Sequence, residues 1–132
     1  TTFFPNILIG KIIREIKAKN IFIISDACYS GALFNEATFY NPASKNDATL
    51  SNTNFKTRLI LTSGGYEKVP DKSIFAEKVY NKLSSPATKQ ISARELIEYI
   101  KKEFANSPIQ KPNGGVLIDS YDEDGDFILT KF

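Results

Sequence analysis

The chain predicts an α/β domain built on a mainly parallel sheet, and three features carry that expectation. Two short runs, Ile21-Phe22-Ile23-Ile24 and Leu59-Ile60-Leu61-Thr62, are continuously apolar or β-branched, as strands covered on both faces are. Stretches with apolar residues at helical spacing flank them. The resulting order, helix–strand–loop–strand–helix–helix–strand–strand, is that of layered α/β folds with crossover connections.

Each element has a local reason. Over residues 6–19, Ile9, Ile12, Ile13 and Ile16 share one face, and Lys11, Arg14, Glu15 and Lys17 the other, which is the pattern of an amphipathic helix. Asn6, just after Pro5, suits its N-cap, and Asn20 can end it. The strand at 21–24 stops at Ser25-Asp26-Ala27-Cys28-Tyr29-Ser30-Gly31. Residues 35–57 are polar, rich in Asn, Thr, Ser and Ala, with Pro42 among them. A connection of that length is usually functional or cleavable. The second strand, 59–62, ends in another small-residue turn, Ser63-Gly64-Gly65. Ser73 reads as the N-cap of a helix over 74–84 with Phe75, Val79 and Leu83 inward. Ser92 with Glu95 reads as a capping box opening a helix to about residue 104, with Leu96, Ile97, Ile100 and Phe104 as its apolar face. Pro108, Pro112 and Gly114-Gly115 predict a loop, and Val116-Leu117-Ile118 a short strand. After an acidic turn at 119–126, Phe127-Ile128-Leu129 is expected to close the same sheet.

Composition narrows the function classes. The chain has 132 residues, 42% apolar and 24% charged, an ordinary single globular domain rather than a disordered or fibrous segment. No internal repeat or domain boundary is visible, and 35–57 is the only candidate cut. Seventeen basic against 15 acidic residues give a net charge of +2, which predicts no nucleic-acid partner. No apolar run approaches the ~20 residues of a membrane span and no signal peptide opens the chain, so no membrane partner is expected. A single cysteine suits a reducing, cytoplasmic compartment. There is no methionine and no histidine. The chain therefore reads as a piece of something larger, and any imidazole its chemistry needs must come from outside it.

Functional groups in open α/β sheets gather beyond the carboxyl ends of the strands. Here that place holds Asp26, Cys28, Ser30 and Gly31 after one strand, and Thr62, Ser63, Gly64 and Gly65 after the other. A nucleophilic thiol needs exposure, a route to thiolate and amides to hold an oxyanion. A tight turn ending at Gly31 could provide both exposure and amides. A lone cysteine is more often a buried small hydrophobe, but Cys28 lies past its strand among polar neighbours. Ser30 lacks the first glycine of a G-x-S-x-G elbow and suits a turn hydroxyl. Asp26 would raise the thiol pKa if it faced the sulfur. Pointing into a neighbouring pocket, it could instead pair with a cationic substrate group. Capping the turn remains an equal alternative. Ser63-Gly64-Gly65 is no phosphate loop, lacking Gly-Lys-Ser/Thr. The acidic stretch 119–126 fails as an EF-hand, since Ser120 and Lys131 would fill the first and last ligand positions. A solvated turn is expected there.

With these residues in view, Asp26-Ala27-Cys28-Tyr29-Ser30-Gly31 after its apolar strand resembles the nucleophile turn of the caspase-like cysteine peptidases, closest to metacaspases and their bacterial relatives. The likeness continues through Leu61-Thr62-Ser63-Gly64-Gly65, Ser73-Ile74-Phe75-Ala76 and Gly125-Asp126-Phe127-Ile128-Leu129. It covers nearly the whole chain apart from 35–57.

The resemblance implies a caspase-like layered α/β/α domain, of which residues 1–132 would be the C-terminal, cysteine-bearing part. It implies a Cys–His dyad endopeptidase in which Cys28 attacks the scissile carbonyl and its own backbone amide helps form the oxyanion hole. Asp26 would line the S1 pocket and select Arg or Lys at P1, with Ser63 and Gly64 lining the same pocket or its neighbour. The polar loop falls where caspases are cut between subunits, which makes Lys45 and Lys56 expected self-cleavage sites. The dyad histidine of caspases lies about 50 residues before the cysteine, whereas 27 residues precede Cys28. A companion segment or chain is therefore expected to supply it, and the chain alone should be inactive. No cofactor follows from the residues. Many metacaspases require calcium, but the resemblance maps that site onto no residue here. From a different class, an inactive caspase-like module serving protein interaction or regulation is the alternative. A structural cysteine in an α/β fragment is a third, weaker reading.

Overall fold

The computed structural model of the chain describes residues 7–26, 39–40, 53–64 and 72–131. Among them are helices α1 (Ile7–Glu15), α2 (Ile74–Ser84) and α3 (Ala93–Glu103). The strands are β1 (Asn20–Ser25), β2 (Phe39–Tyr40), β3 (Thr57–Thr62), β4 (Gln90–Ser92), β5 (Asn113–Leu117) and β6 (Ile128–Thr130).

The fold is mixed α/β, and its sheet is less parallel than expected. Four strands lie in the order β1-β3-β5-β2. Among the described residues only the β1–β3 pair is parallel, with Asn20 opposite Thr57 and Ser25 opposite Thr62. β5 is antiparallel to both β3 and β2. The C-terminal run does not close this sheet either. β6 pairs with β4 in a separate antiparallel ribbon, Leu129 opposite Ile91. The physical reason lies in β5. Residues 114 and 115, expected in a loop, are strand residues, because glycine there allows close approach rather than a turn. A Cβ on Gly114 would come within 2.5 Å of the Ile60 carbonyl oxygen and 3.1 Å of Ile97 Cγ2, so only glycine lets β5 sit between β3 and α3.

β3 is buried along its whole length, and its side chains alternate between two cores as a strand demands. Leu59 and Leu61 join Phe75, Val79, Leu96, Ile97, Ile100, Phe104 and Val116 under α2 and α3. Ile60 faces the other way, with Leu117 and Ile13 of α1. Phe22 of β1 meets Phe127 edge-to-face at 6.3 Å, which ties the small ribbon to the main sheet.

The two later helices begin where their caps predict. Ser73 Oγ accepts from the Ala76 amide at 3.0 Å. Ser92 Oγ accepts from the Glu95 amide at 3.1 Å, and Glu95 Oε2 accepts from the Ser92 amide at 2.8 Å, completing the capping box. α1 is shorter than the periodicity implies. It ends at Glu15, and of its apolar residues Ile13 is buried and Ile9 packs beside it, while Ile12 and Ile16 are exposed. Arg58 explains the early stop. Its guanidinium takes the carbonyls of Ile16, Ala18 and Lys19, which drives the chain straight into β1.

Candidate functional site

The parallel pairing of β1 with β3 brings two of the expected strand ends together. The Ser63 amide donates to the Ser25 carbonyl at 2.9 Å, so the register carries Asp26 alongside Ser63. Asp26 is exposed, and among the described residues its carboxylate has no hydrogen bond or ion pair. Ser63 is fully buried and Gly64 half-buried, so Ser63 acts as wall rather than as an accessible hydroxyl. Cys28 lies outside the described residues. Chain connectivity alone keeps its Cα within about 7 Å of that of Asp26.

Across β3 from Asp26 stands a residue the sequence did not single out. Gln110 is only 6% exposed, and the Cγ of its side chain would lie 3.6 Å from a Cβ built on Gly64. Its backbone amide is fixed by Ser107 Oγ at 3.1 Å. Between two prolines it reads as surface loop, and no local pattern marks it as buried.

The expected processing sites do not share this end. Lys45 lies outside the described residues. Lys56 precedes β3, at the opposite end of the strand from Ser63, and its backbone is tied on both sides. Its amide donates to Glu123 Oε2 at 2.8 Å, and its carbonyl accepts from the Glu123 and Gly125 amides at 3.0 and 3.2 Å. Cleavage after Lys56 therefore requires that these bonds be released first, since a scissile segment must extend freely into a protease.

The acidic turn spends its carboxylates on the fold. Asp122 Oδ1 accepts from the Arg58 amide at 2.6 Å and Oδ2 from the Asp124 amide at 2.8 Å. Asp126 Oδ1 accepts from the amides of Arg94 and Phe127. Arg94 donates through Nε to the Gly125 carbonyl at 3.0 Å and reaches Asp122 and Asp124 at 3.9 Å. Asp119, Tyr121 and Asp124 adopt positive φ, so the turn is tightly wound rather than an open, solvated loop. Among the described residues no group of three or more His, Cys, Asp or Glu is placed to hold a metal ion. Nor, among them, is any helix long and apolar enough to cross a membrane.

Burial raises the Asp122 pKa above its ordinary 3.8, against the pull of the Arg58 and Asp124 amides and the Arg94 guanidinium. A carboxyl whose folded pKa lies above its unfolded value favours folding when protonated. That contribution is complete below pH 3.8 and is lost as pH rises through the raised value. Melting curves of wild type and Asp122→Asn should therefore diverge across this acid range, with wild type losing ground to the variant as pH rises. Parallel curves would show that Asp122 titrates alike in both states.

No family model, no curated protein and no solved structure matches this chain. The functional reading thus rests on the residues and their placement.

Proposed function

We propose that this chain is the cysteine-bearing portion of a caspase-like peptidase that cleaves polypeptides after Arg or Lys, in the cytoplasm. Cys28 is the nucleophile and Asp26 the carboxylate that receives the basic P1 side chain. The observation that carries this reading is the meeting of Asp26 with Ser63 and Gly64 at the carboxyl ends of two parallel strands, two residues before the cysteine. An exposed carboxylate with no hydrogen bond or ion pair among the described residues suits pairing with a guanidinium or ammonium group. The thiolate of Cys28 adds to the scissile carbonyl, its backbone amide stabilises the oxyanion, and an imidazole from a companion segment or chain protonates the leaving amine.

Among the described residues β1 pairs on one side only, and Ile12, Ile16 and Ile24 near it are exposed. An added strand along β1 would carry its own carboxyl end toward Cys28 if it ran parallel. Helices on both faces of the sheet accord with the caspase-like α/β/α layering included in this proposal.

The absence of histidine favours a second reading, an inactive module of the same fold used in protein interaction. An Arg-chloromethylketone separates the two on the full-length protein with any co-purifying chain. The peptidase should gain one inhibitor mass at Cys28, and Cys28→Ala should gain none. A wild-type protein that accepts iodoacetamide at Cys28 but ignores the peptidyl reagent would sink the peptidase reading.

A further inference from the structure

Asn113-Gly114 is the chain's single Asn-Gly pair, and it opens β5. Asn113 is exposed and Gly114 is buried behind it. The Gly114 amide donates to the preceding side chain, Asn113 Oδ1, at 2.9 Å. With a carbonyl bond of about 1.23 Å, Asn113 Cγ lies no more than about 4.1 Å from the Gly114 nitrogen. At the other end of the same peptide group, Thr62 Oγ1 donates to the Asn113 carbonyl at 3.2 Å. A nucleophilic nitrogen, an electrophilic amide carbon and a donor to the intervening carbonyl thus meet at one exposed strand end.

We propose that Asn113 is a site of spontaneous deamidation, with water as co-reactant, which gives this strand a finite chemical lifetime. The Gly114 nitrogen loses its proton to hydroxide and bonds to Asn113 Cγ. The Cγ–Nδ2 bond breaks, and the departing nitrogen takes a proton from water and leaves as ammonia. Water then opens the five-membered imide. Splitting its bond to Cγ gives an aspartyl residue, and splitting its main-chain bond gives an isoaspartyl one. Glycine leaves the attacking nitrogen uncovered, because no Cβ stands beside it. The anion of the peptide group carries much of its charge on the carbonyl oxygen, where Thr62 Oγ1 donates as an oxyanion-hole donor does. Ring closure needs a turn about the Cα–C bond of Asn113. Asn113 is the terminal residue of β5, and Pro112 ahead of it brings no N–H to the ladder. Strand ends open at little cost. The Asp124-Gly125 pair, open to the same cyclisation in principle, is placed differently, since its glycine amide donates to the Lys56 carbonyl at 3.2 Å. The isoaspartyl product adds one carbon to the main chain of β5, where a Cβ on Gly114 would already meet the Ile60 carbonyl oxygen at 2.5 Å. Either product sets a carboxylate on the residue paired with Thr62.

The test ages the purified protein in warm, mildly alkaline buffer, native and in urea, and follows the peptide carrying Asn113 by mass spectrometry with fragmentation. In the native protein, conversion of amide to acid should appear at 113 before any other asparagine, with the isoaspartyl form among the products. Its rate should grow in proportion to hydroxide. The native protein should react within about tenfold of the rate in urea, because a strand end protects little. Asn113→Gln, whose longer side chain would have to close a six-membered ring, should stay unconverted at 113 over the same period. A native rate that falls further than tenfold below the unfolded one overturns the proposal, as does another asparagine converting first or a rate indifferent to hydroxide. None of these outcomes bears on the peptidase reading, which rests on other residues.

Discussion

Arg58→Ala is expected to lower the free energy of unfolding by about 3–5 kcal/mol, measured by urea denaturation. Arg58 is 2% exposed on a central strand, an unusual place for a charge that no carboxylate pairs among the described residues. Its guanidinium donates from one terminal nitrogen to Lys19 O at 2.7 Å and Thr57 O at 2.9 Å. The other reaches Ala18 O at 2.7 Å and Ile16 O at 3.4 Å. The carbonyls just beyond the last turn of α1 thus take the place of a counter-ion, as the negative end of a helix can. Removing the side chain leaves those carbonyls without donors and opens a void between α1 and β3. Against a total stability of about 5–15 kcal/mol for a domain, this is a large fraction. Arg58→Lys should recover only part of it, because an ammonium cannot span four carbonyls as the planar fork does. A loss below about 1 kcal/mol, the usual net worth of a single hydrogen bond, would mean that water satisfies these carbonyls unaided.

Asp26→Asn should lower kcat/KM of the full-length protein for Arg and Lys substrates by about 10–100-fold, the worth of a hydrogen-bonded charge pair. Substrates with a neutral P1 should be cleaved no more slowly. Thermal stability should stay within about 0.5 kcal/mol of wild type, as for other surface substitutions. That last expectation follows from the exposure of Asp26 and from its lack of any bond among the described residues. Ser63 offers no such clean test, since it is wholly buried and its replacement would disturb packing. A variant that loses stability together with activity would show that Asp26 supports its turn. One that cleaves basic substrates as wild type does would remove it from the P1 pocket.

Gln110 and Arg58 show where sequence reading stops. Both are long polar residues that a linear pattern places at the surface, one between prolines and one just before an apolar run. Each is buried by segments distant in sequence: Arg58 by the end of α1, and Gln110 beside Gly64, 46 positions away. The proposed P1 carboxylate and nucleophile are different. Asp26 and Cys28 were marked by their place after an apolar run, and for Cys28 the sequence remains the whole of the case.

What the sequence by itself determined is whatever depends on atoms a few residues apart. Ser73 and the Ser92–Glu95 box set the starts of α2 and α3 through bonds spanning three residues. The spacing of Leu96, Ile97, Ile100 and Phe104 named the face that is buried, and the run at 59–62 named the central strand. Only the tertiary structure decided strand direction, partner and helix end. β5 runs antiparallel to β3, packed so closely that Gly114 lies against the Ile60 carbonyl and Ile97 of α3. β6 turns to β4 instead of the main sheet, and α1 stops where Arg58 takes its last carbonyls. Periodicity tells a segment which side to bury. Which distant segment covers that side is settled by packing among all of them together, and no single stretch of chain contains that information.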